Sequence, residues 1–250
     1  MIYAGGSGHP GGSLSSVEIL AALYLRVMKH DPENAQWPDR DRFVLSKAHA
    51  VPVLYAYLAE CKYFDESEIN TFRQLNSRLQ GHSKMGSVPG VEMSGGSLGQ
   101  GLSFSIGHLL AARLDNRDYR VFCLMGDGEQ DEGQVWEAAM SAAHYGLDHL
   151  TAIIDRNGVQ NDGHVNDIMR QDPLPDKWAA FGWDVIEIDG HNQAAVIEAL
   201  EKPNDTGKPR VIIAETVKGK GVSFMQGTAA WHGRAPNKDE RERALAEINA

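Results

Sequence analysis

The segment VFCLMGDGEQDEGQVWEAAMSAAHYGLDHLTAIIDRNGVQNDG, residues 121–163, decides how this chain folds. An apolar run at 121–125 breaks at Gly126-Asp127-Gly128. A stretch of helical character follows over 133–146, and a second apolar run, 150–154, ends at Asp155-Arg156-Asn157. Short runs rich in Val and Ile read as strands buried on both faces of a parallel sheet. Asp127 and Asn157 lie 157 − 127 = 30 residues apart, the span of one βαβ unit. Each therefore falls just past the C-terminal end of its strand, the edge where open α/β sheets bind ligands.

The same pattern continues outward. Apolar runs at 183–188 and 211–214 alternate with helix-like stretches at 175–181 and 193–201. This alternation predicts an α/β fold, a parallel β-sheet flanked by helices on both faces and joined by right-handed crossovers. The N-terminal part differs. Residues 15–29 carry a helical apolar face, 50–61, 65–80 and 99–115 also read as helices, and a short strand at 42–45 is expected to join the sheet. Glycine-rich loops at 4–13 and 81–101 lie between these helices, where sites are expected. The last residues, NKDERERALAEINA, read as a solvated helix. The chain enters a glycine-rich loop almost at Met1, so a preceding helix is expected.

Length and composition fit this reading. The 250 residues suffice for one large domain, and 42% hydrophobic with 23% charged residues is globular rather than disordered. A formal net charge of −10 argues against a nucleic-acid or anionic-membrane surface. Any anionic ligand must be held locally. Two cysteines, Cys61 and Cys123, make no disulfide framework and suit a reducing compartment. With no apolar stretch of spanning length and no signal-like start, a cytoplasmic protein is expected.

The Asp127–Asn157 pair carries the chemistry. A carboxylate, a carboxamide and neighbouring backbone carbonyls are hard oxygen donors, suited to Mg²⁺ or Ca²⁺ with phosphate oxygens completing the shell. Gly126 and Gly128 are expected to let the backbone turn sharply and approach a ligand, and the helix beginning near Gly133 adds its positive end. Alone, an Asp or an Asn more often caps a turn. Spaced as here and flanked by glycine, the pair reads as a cation site anchoring a diphosphate.

GDG followed by DRNG resembles the thiamine-diphosphate motif, and EGQVWEAAMSAAHYGLDHL resembles its transketolase form. GGSGHPGGSLSSVEIL, DRFVLSKAHAVPVLYAYL, GVEMSGGSLGQGLSFSIG, EIDGHN and VKGKGVSFMQGTAAWHG resemble transketolase segments in the family's order. The likeness spans nearly the whole chain but only the family's N-terminal, diphosphate-binding domain. It implies the thiamine-diphosphate-binding fold, with residues 1–250 as one diphosphate-binding domain of a split transketolase. The pyrimidine-binding and C-terminal domains would then lie on a separate chain.

The resemblance also implies roles. Asp127, Asn157 and the Val159 carbonyl would ligate the cation. His49 and His232 would contact the diphosphate and face the substrate channel, and His9 and His82 would bind substrate hydroxyls and the carbonyl oxygen. Gly96 and Leu98 would meet the aminopyrimidine, and Glu132 would sit at the subunit contact. The implied catalytic set is His9, His82 and His232. The implied cofactors are thiamine diphosphate with Mg²⁺ or Ca²⁺. The implied assembly is an α2β2 heterotetramer with a C-terminal transketolase subunit, whose glutamate activates the pyrimidine. The implied reaction moves a two-carbon ketol unit from a ketose to an aldose. A related enzyme such as 1-deoxyxylulose-5-phosphate synthase or dihydroxyacetone synthase is the nearest alternative, and a non-catalytic scaffold subunit is the alternative of a different class.

The residues themselves support part of this. Imidazoles titrating near neutrality can move hydroxyl protons and donate to phosphate. Four of them in glycine-rich loops outweigh the structural reading that a single one would take. His30, His108, His144, His149 and His164 lack such context, and His191 is intermediate. Two departures from the family stand out, Ala48 in place of a glycine and Asn161 in place of an apolar residue. GSGHPG (Gly6, Gly8, Gly11) satisfies a dinucleotide pattern, but no strand precedes it and Pro10 interrupts it. VKGKGV reads as a loop over the cofactor rather than a P-loop. Met125, Met140, Met169, Trp136, Trp178 and Trp183 read as core or interface fillers.

Overall fold

The computed structural model describes residues 1–250. Five strands form one wholly parallel sheet: β1 (Arg42–Leu45), β2 (Val121–Gly126), β3 (Leu150–Arg156), β4 (Asp184–Asp189) and β5 (Arg210–Glu215), in the spatial order β1-β2-β3-β5-β4. The helices are α1 (Pro10–Leu14), α2 (Val17–Ala22), α3 (Val51–Glu60), α4 (Gln100–Leu114), α5 (Gly133–His144), α6 (Val165–Ile168), α7 (Leu174–Ala180), α8 (Gln193–Glu201) and α9 (Lys238–Ile248). None is long and apolar enough to cross a membrane.

Alternation along the strands builds two cores. Phe122 and Leu124 of β2 join Phe43, Leu45, Ile153, Ile212 and Ala214 on the face covered by α2, α3 and α8. Val121, Cys123 and Met125 point the other way, with Val44, Ile154 and Ile213, beneath α4, α5 and α7. Both faces of β2 are therefore buried, which explains its uninterrupted apolar run. Crossovers through α5 and α7 run along one face. The return from β4 to β5 goes through α8 on the other, as right-handed connections require when the chain reverses direction.

Most expected elements stand within a residue or two, including the edge strand at 42–45. Three differ. Residues 15–29 are not one α-helix, because α2 widens into a π-helical segment over Leu23–Val27. The helix expected at 65–80 is only a 3₁₀ stretch, Glu66–Thr71, capped by the Asp65 side chain accepting from Ser67 N–H. Beyond it the chain turns through left-handed Arg73 and Asn76, so Phe72 and Leu79 reach the core from a loop rather than from one helix face. The terminal helix α9 is not fully solvated. It has a capping box on Asn237 and Glu240, and Ala244 packs with Val222, Met225 and Trp231 in a small third core.

Cys61 and Cys123 are free thiols, and burial pushes the Cys123 thiol far above its ordinary range. Trp178 and Trp183 are core residues, stacked edge to face at 4.8 Å.

Candidate active site

The register sets Gly126 opposite Asp155, so the ends of β2 and β3 open together at the C-terminal edge of the sheet. Asp127 is buried there, with 3% of its surface exposed, and its Oδ2 accepts from Gly158 N–H at 2.5 Å. Burial pushes its carboxyl up to about 6 despite that hydrogen bond. Such a carboxylate gains from a cation. Asn157 donates from Nδ2 to Asp155 Oδ2 at 2.9 Å, which fixes the amide and turns Oδ1 the other way, where it accepts only a long bond of 3.2 Å from Val159 N–H.

No three His, Cys, Asp or Glu side chains gather anywhere in a metal-binding group. A cation at this edge must therefore use amide and carbonyl oxygen as well as Asp127, and those donors suit Mg²⁺ or Ca²⁺. The Val159 carbonyl already faces a cation, since Lys218 Nζ donates to it at 2.9 Å. The oxygen set of buried Asp127 and Val159 with half-buried Asn157 thus fits a hard metal.

The glycines of GDG act differently from the expectation. Neither Gly126 nor Gly128 takes a positive φ. Gly128 is needed for space, because a Cβ there would meet Gln160 Cβ at 2.8 Å. The left-handed turn of this edge is made by Gly158, at φ 74°. Helix α5 begins at Gly133 as expected, and a 3₁₀ turn over Gly128–Asp131 lies between it and Asp127.

Four histidines from distant segments converge. His9 stands just before α1, His49 in a 3₁₀ turn after β1, His82 in the loop after Leu79, and His232 after the 3₁₀ turn Ala229–Trp231. Ring centroids of His9 lie 5.3 Å from His49, 5.7 Å from His82 and 5.5 Å from His232, and His49 and His232 stack at 5.0 Å. Burial, aided by Arg73, His82 and Lys218, lowers His9 to about 4. Burial and Lys218 do the same for His232, burial and Lys47 hold His49 well below its usual range, and burial with Arg73 lowers His82. All four are neutral at pH 7. His9 Nδ1 is buried without a partner, a polar atom awaiting a ligand.

Lys218 joins His232 to the Val159 carbonyl. Its Nζ lies 2.8 Å from His232 Nδ1. An ammonium can only donate, so Nδ1 accepts and the ring proton resides on Nε2. The side chain is 2% exposed, and burial lowers its ammonium to about 8. It passes over Gly11, where a Cβ would meet Lys218 Cγ at 2.9 Å. Reading VKGKGV as a loop over the cofactor does not single out this residue.

Two further groups are not legible in the sequence. Lys47 and Asp155 form an ion pair of 2.5 Å with 1% and 0% exposure. Asp155 also accepts from Ser15 at 2.7 Å and Thr216 at 2.5 Å, while Lys47 donates to Gly12 O at 2.8 Å. Burial pushes the Asp155 carboxyl up, but Lys47 and the hydroxyl donors outweigh it and hold it below the usual carboxylate range. Glu129, 1% exposed, accepts from Gly99 N–H and Gly126 N–H at 2.8 Å each and from the Ser46 hydroxyl, tying the GGSLGQG loop to GDG.

The remaining predicted residues lie around this edge. Gly96 is exposed, and a Cβ there would sit 3.9 Å from the His82 ring. Leu98 is half-buried. Glu132 is exposed at the N-cap of α5 and makes no ion pair. Ala48 is wholly buried with its methyl against Gly95, so the missing glycine is accommodated. Asn161 faces solvent and bonds Asp162, away from the oxygen set. His30 and His191 are structural, bonded to Tyr24 O at 2.7 Å and to Val217 N–H at 2.8 Å.

Residues 1–248 match the family described as transketolase, thiamine diphosphate binding domain. A 6-deoxy-6-sulfo-D-fructose transketolase subunit of a Clostridium species is 47% identical over 97% of this chain and 89% of its own length. One of the subunits of the apulose-4-phosphate transketolase of Phocaeicola vulgatus is 43% identical over 100% of this chain and 89% of that one. The crystal structure of Campylobacter jejuni transketolase superposes with a TM-score of 0.92 at 32% identity, covering 98% of this chain but 40% of that one. The chain therefore spans most of the two subunits and well under half of the undivided enzyme. The parallel sheet, the converging imidazoles and the whole-length match place this chain in the transketolase family, as its thiamine-diphosphate-binding N-terminal portion.

Proposed function

We propose that this chain is one half of a split transketolase. Residues 1–250 form a single diphosphate-binding domain, and a separate C-terminal subunit completes the site in a cytoplasmic α2β2 heterotetramer. The substrates are sugars with an acidic terminus, as the names of the two subunit relatives suggest. The observation that supports the reading is the convergence of His9, His49, His82 and His232, with Lys218 bonded both to His232 Nδ1 and to the Val159 carbonyl.

Thiamine diphosphate, when bound, supplies the nucleophilic carbon and the electron sink for cleaving a C–C bond beside a carbonyl. The chain's residues supply the rest. Asp127, Asn157 and the Val159 carbonyl would hold Mg²⁺, and Lys218 and His49 would contact the diphosphate. Gly96 and Leu98 offer backbone to the pyrimidine, and Glu132 faces the partner subunit. His232, with its proton on Nε2, donates to the substrate carbonyl or hydroxyl oxygen. His9 and His82, neutral, accept the hydroxyl proton released as the C2–C3 bond of the ketose breaks. The same proton returns to the new hydroxyl when the two-carbon unit joins the aldehyde carbon of the acceptor, so no net oxidation occurs.

The test is to assay the purified chain alone and mixed with the C-terminal subunit, using a ketose phosphate donor and an aldose acceptor. Turnover is expected only from the mixture. Strong turnover by the single chain would overturn the half-site reading.

A further inference from the structure

The DGHN turn, Asp189–Asn192, ends β4 at the C-terminal edge of the sheet and leads into α8. Asp189 Oδ1 accepts from His191 N–H at 2.9 Å, and Asn192 Oδ1 caps α8 by accepting from Ala194 and Ala195 N–H at 3.1 and 3.3 Å. Gly190 gives clearance, since a Cβ there would fall 2.5 Å from Thr216 Cγ2. The turn can thus lie close against the chain leaving β5, and the His191 ring bonds to that chain.

His191 Nε2 accepts from Val217 N–H at 2.8 Å. A ring nitrogen that accepts carries no proton, so the neutral imidazole is protonated on Nδ1. Nδ1 faces Glu18 Oε1 of α2 at 3.1 Å, with side-chain exposures of 10% and 24%. This contact is charge to dipole rather than an aligned hydrogen bond, and neither Nδ1 nor Glu18 Oε2 has another partner. The carboxylate therefore selects the tautomer whose lone pair meets Val217. A ring that merely filled a gap would need neither the acceptor nor the carboxylate behind it.

Val217 immediately precedes Lys218. The β5 ladder ends one residue earlier, where Thr216 N–H donates to Arg156 O at 3.1 Å, and Val217 N–H meets no backbone carbonyl. On the other side of Lys218, Gly219 N–H donates to Gly11 O at 3.0 Å. Both neighbours of Lys218 are thus tied to the segment Gly11–Glu18, Gly219 directly and Val217 through His191. Lysine has a long, flexible stem, and its ammonium keeps one place only where the backbone beneath it is fixed. Lys218 Nζ does keep one, between Val159 O and His232 Nδ1.

We infer that Glu18 and His191 are positioning residues, which act through the Val217 backbone to set Lys218 between the Val159 carbonyl and His232. Their effect on cofactor affinity rests on the reading above that Lys218 contacts the diphosphate, whereas their effect on His232 stands without it.

The test compares His191→Phe, which keeps a ring but loses the acceptor, with His191→Gln, whose amide oxygen can replace Nε2. Imidazole nitrogen NMR spectra of the native chain should show His232 protonated on Nε2, with Nδ1 accepting from Lys218. In His191→Phe the His232 signals shift toward a mixture of tautomers, and in His191→Gln they return to the native pattern. Glu18→Leu produces the same shift in His232 and also frees the His191 tautomer. In the reconstituted complex at saturating Mg²⁺, thiamine diphosphate binds about 2- to 10-fold more weakly to His191→Phe and with native affinity to His191→Gln. A native His232 pattern in either His191→Phe or Glu18→Leu overturns the inference, as does a shift that His191→Gln fails to reverse. If His191→Phe does not fold, Glu18→Leu and His191→Gln decide by the same spectra. A shifted His232 with native cofactor affinity upholds the positioning of Lys218 and overturns its contact with the diphosphate.

Discussion

The Lys47–Asp155 pair is the sharpest energetic commitment in the molecule, because both charges are withdrawn from water. Removing one member of a buried pair strands the other, at a cost of about 3–5 kcal/mol. The two ends are not equivalent. Lys47→Met leaves a carboxylate that still accepts from Ser15, Thr216 and Asn157, and should fall near the lower figure. Asp155→Leu leaves an ammonium whose remaining acceptor is Gly12 O, and should fall near the upper one. In the double variant no charge is stranded, so its loss should be smaller than the two single losses added together by about 2 kcal/mol or more. Urea unfolding followed by circular dichroism reads this directly. With a slope of about 2–3 kcal/mol per molar urea, each single variant shifts the midpoint down by about 1–2.5 M. Single variants that cost under about 1 kcal/mol, or strictly additive losses, would refute the reasoning.

Lys218→Met keeps the fold but removes the donor to His232 Nδ1 and Val159 O, so thiamine diphosphate should bind about 10- to 100-fold more weakly in calorimetry at saturating Mg²⁺. His82→Ala in the reconstituted complex should depress turnover and leave cofactor affinity intact, because His82 is exposed and apart from the oxygen set; an unchanged rate would favour a scaffold role. His9 and His232 sit at about 4, so the unfolded chain takes up protons before the folded one does. Stability is full above the ordinary histidine range of about 6.5 and declines as pH falls toward about 4, which urea midpoints across that window will show. Asn237→Ala breaks the capping box of α9 and should cost about 1 kcal/mol without touching cofactor binding.

The sequence is most informative where structure is local. The runs at 121–125 and 150–154 and the spacing of Asp127 from Asn157 follow from one βαβ unit, whose geometry fixes where both residues emerge. Groups whose roles depend on distant chain segments cannot be read this way. Asp155 adjoins a recognised residue, yet its partner Lys47 is 108 positions away. Glu129 sits inside the opening motif but carries no signal of its own, because two of its hydrogen-bond donors come from the 99 loop and from Ser46. Lys218 looks like loop filler until the fold sets it between His232 and Val159. The false helix at 65–80 has a similar cause, since apolar spacing at Phe72 and Leu79 suits a helix as well as the left-handed loop that buries them.

The proposed function requires a divalent ion at the C-terminal ends of β2 and β3. Crystals of the chain grown with thiamine diphosphate and Mn²⁺, examined by anomalous scattering, locate it without ambiguity. A single strong peak bounded by the Asp127 carboxylate, Asn157 Oδ1 and the Val159 carbonyl, with diphosphate oxygens beside it, is the predicted result. A peak at any other place, with the cofactor bound and those three oxygens bare, contradicts the account.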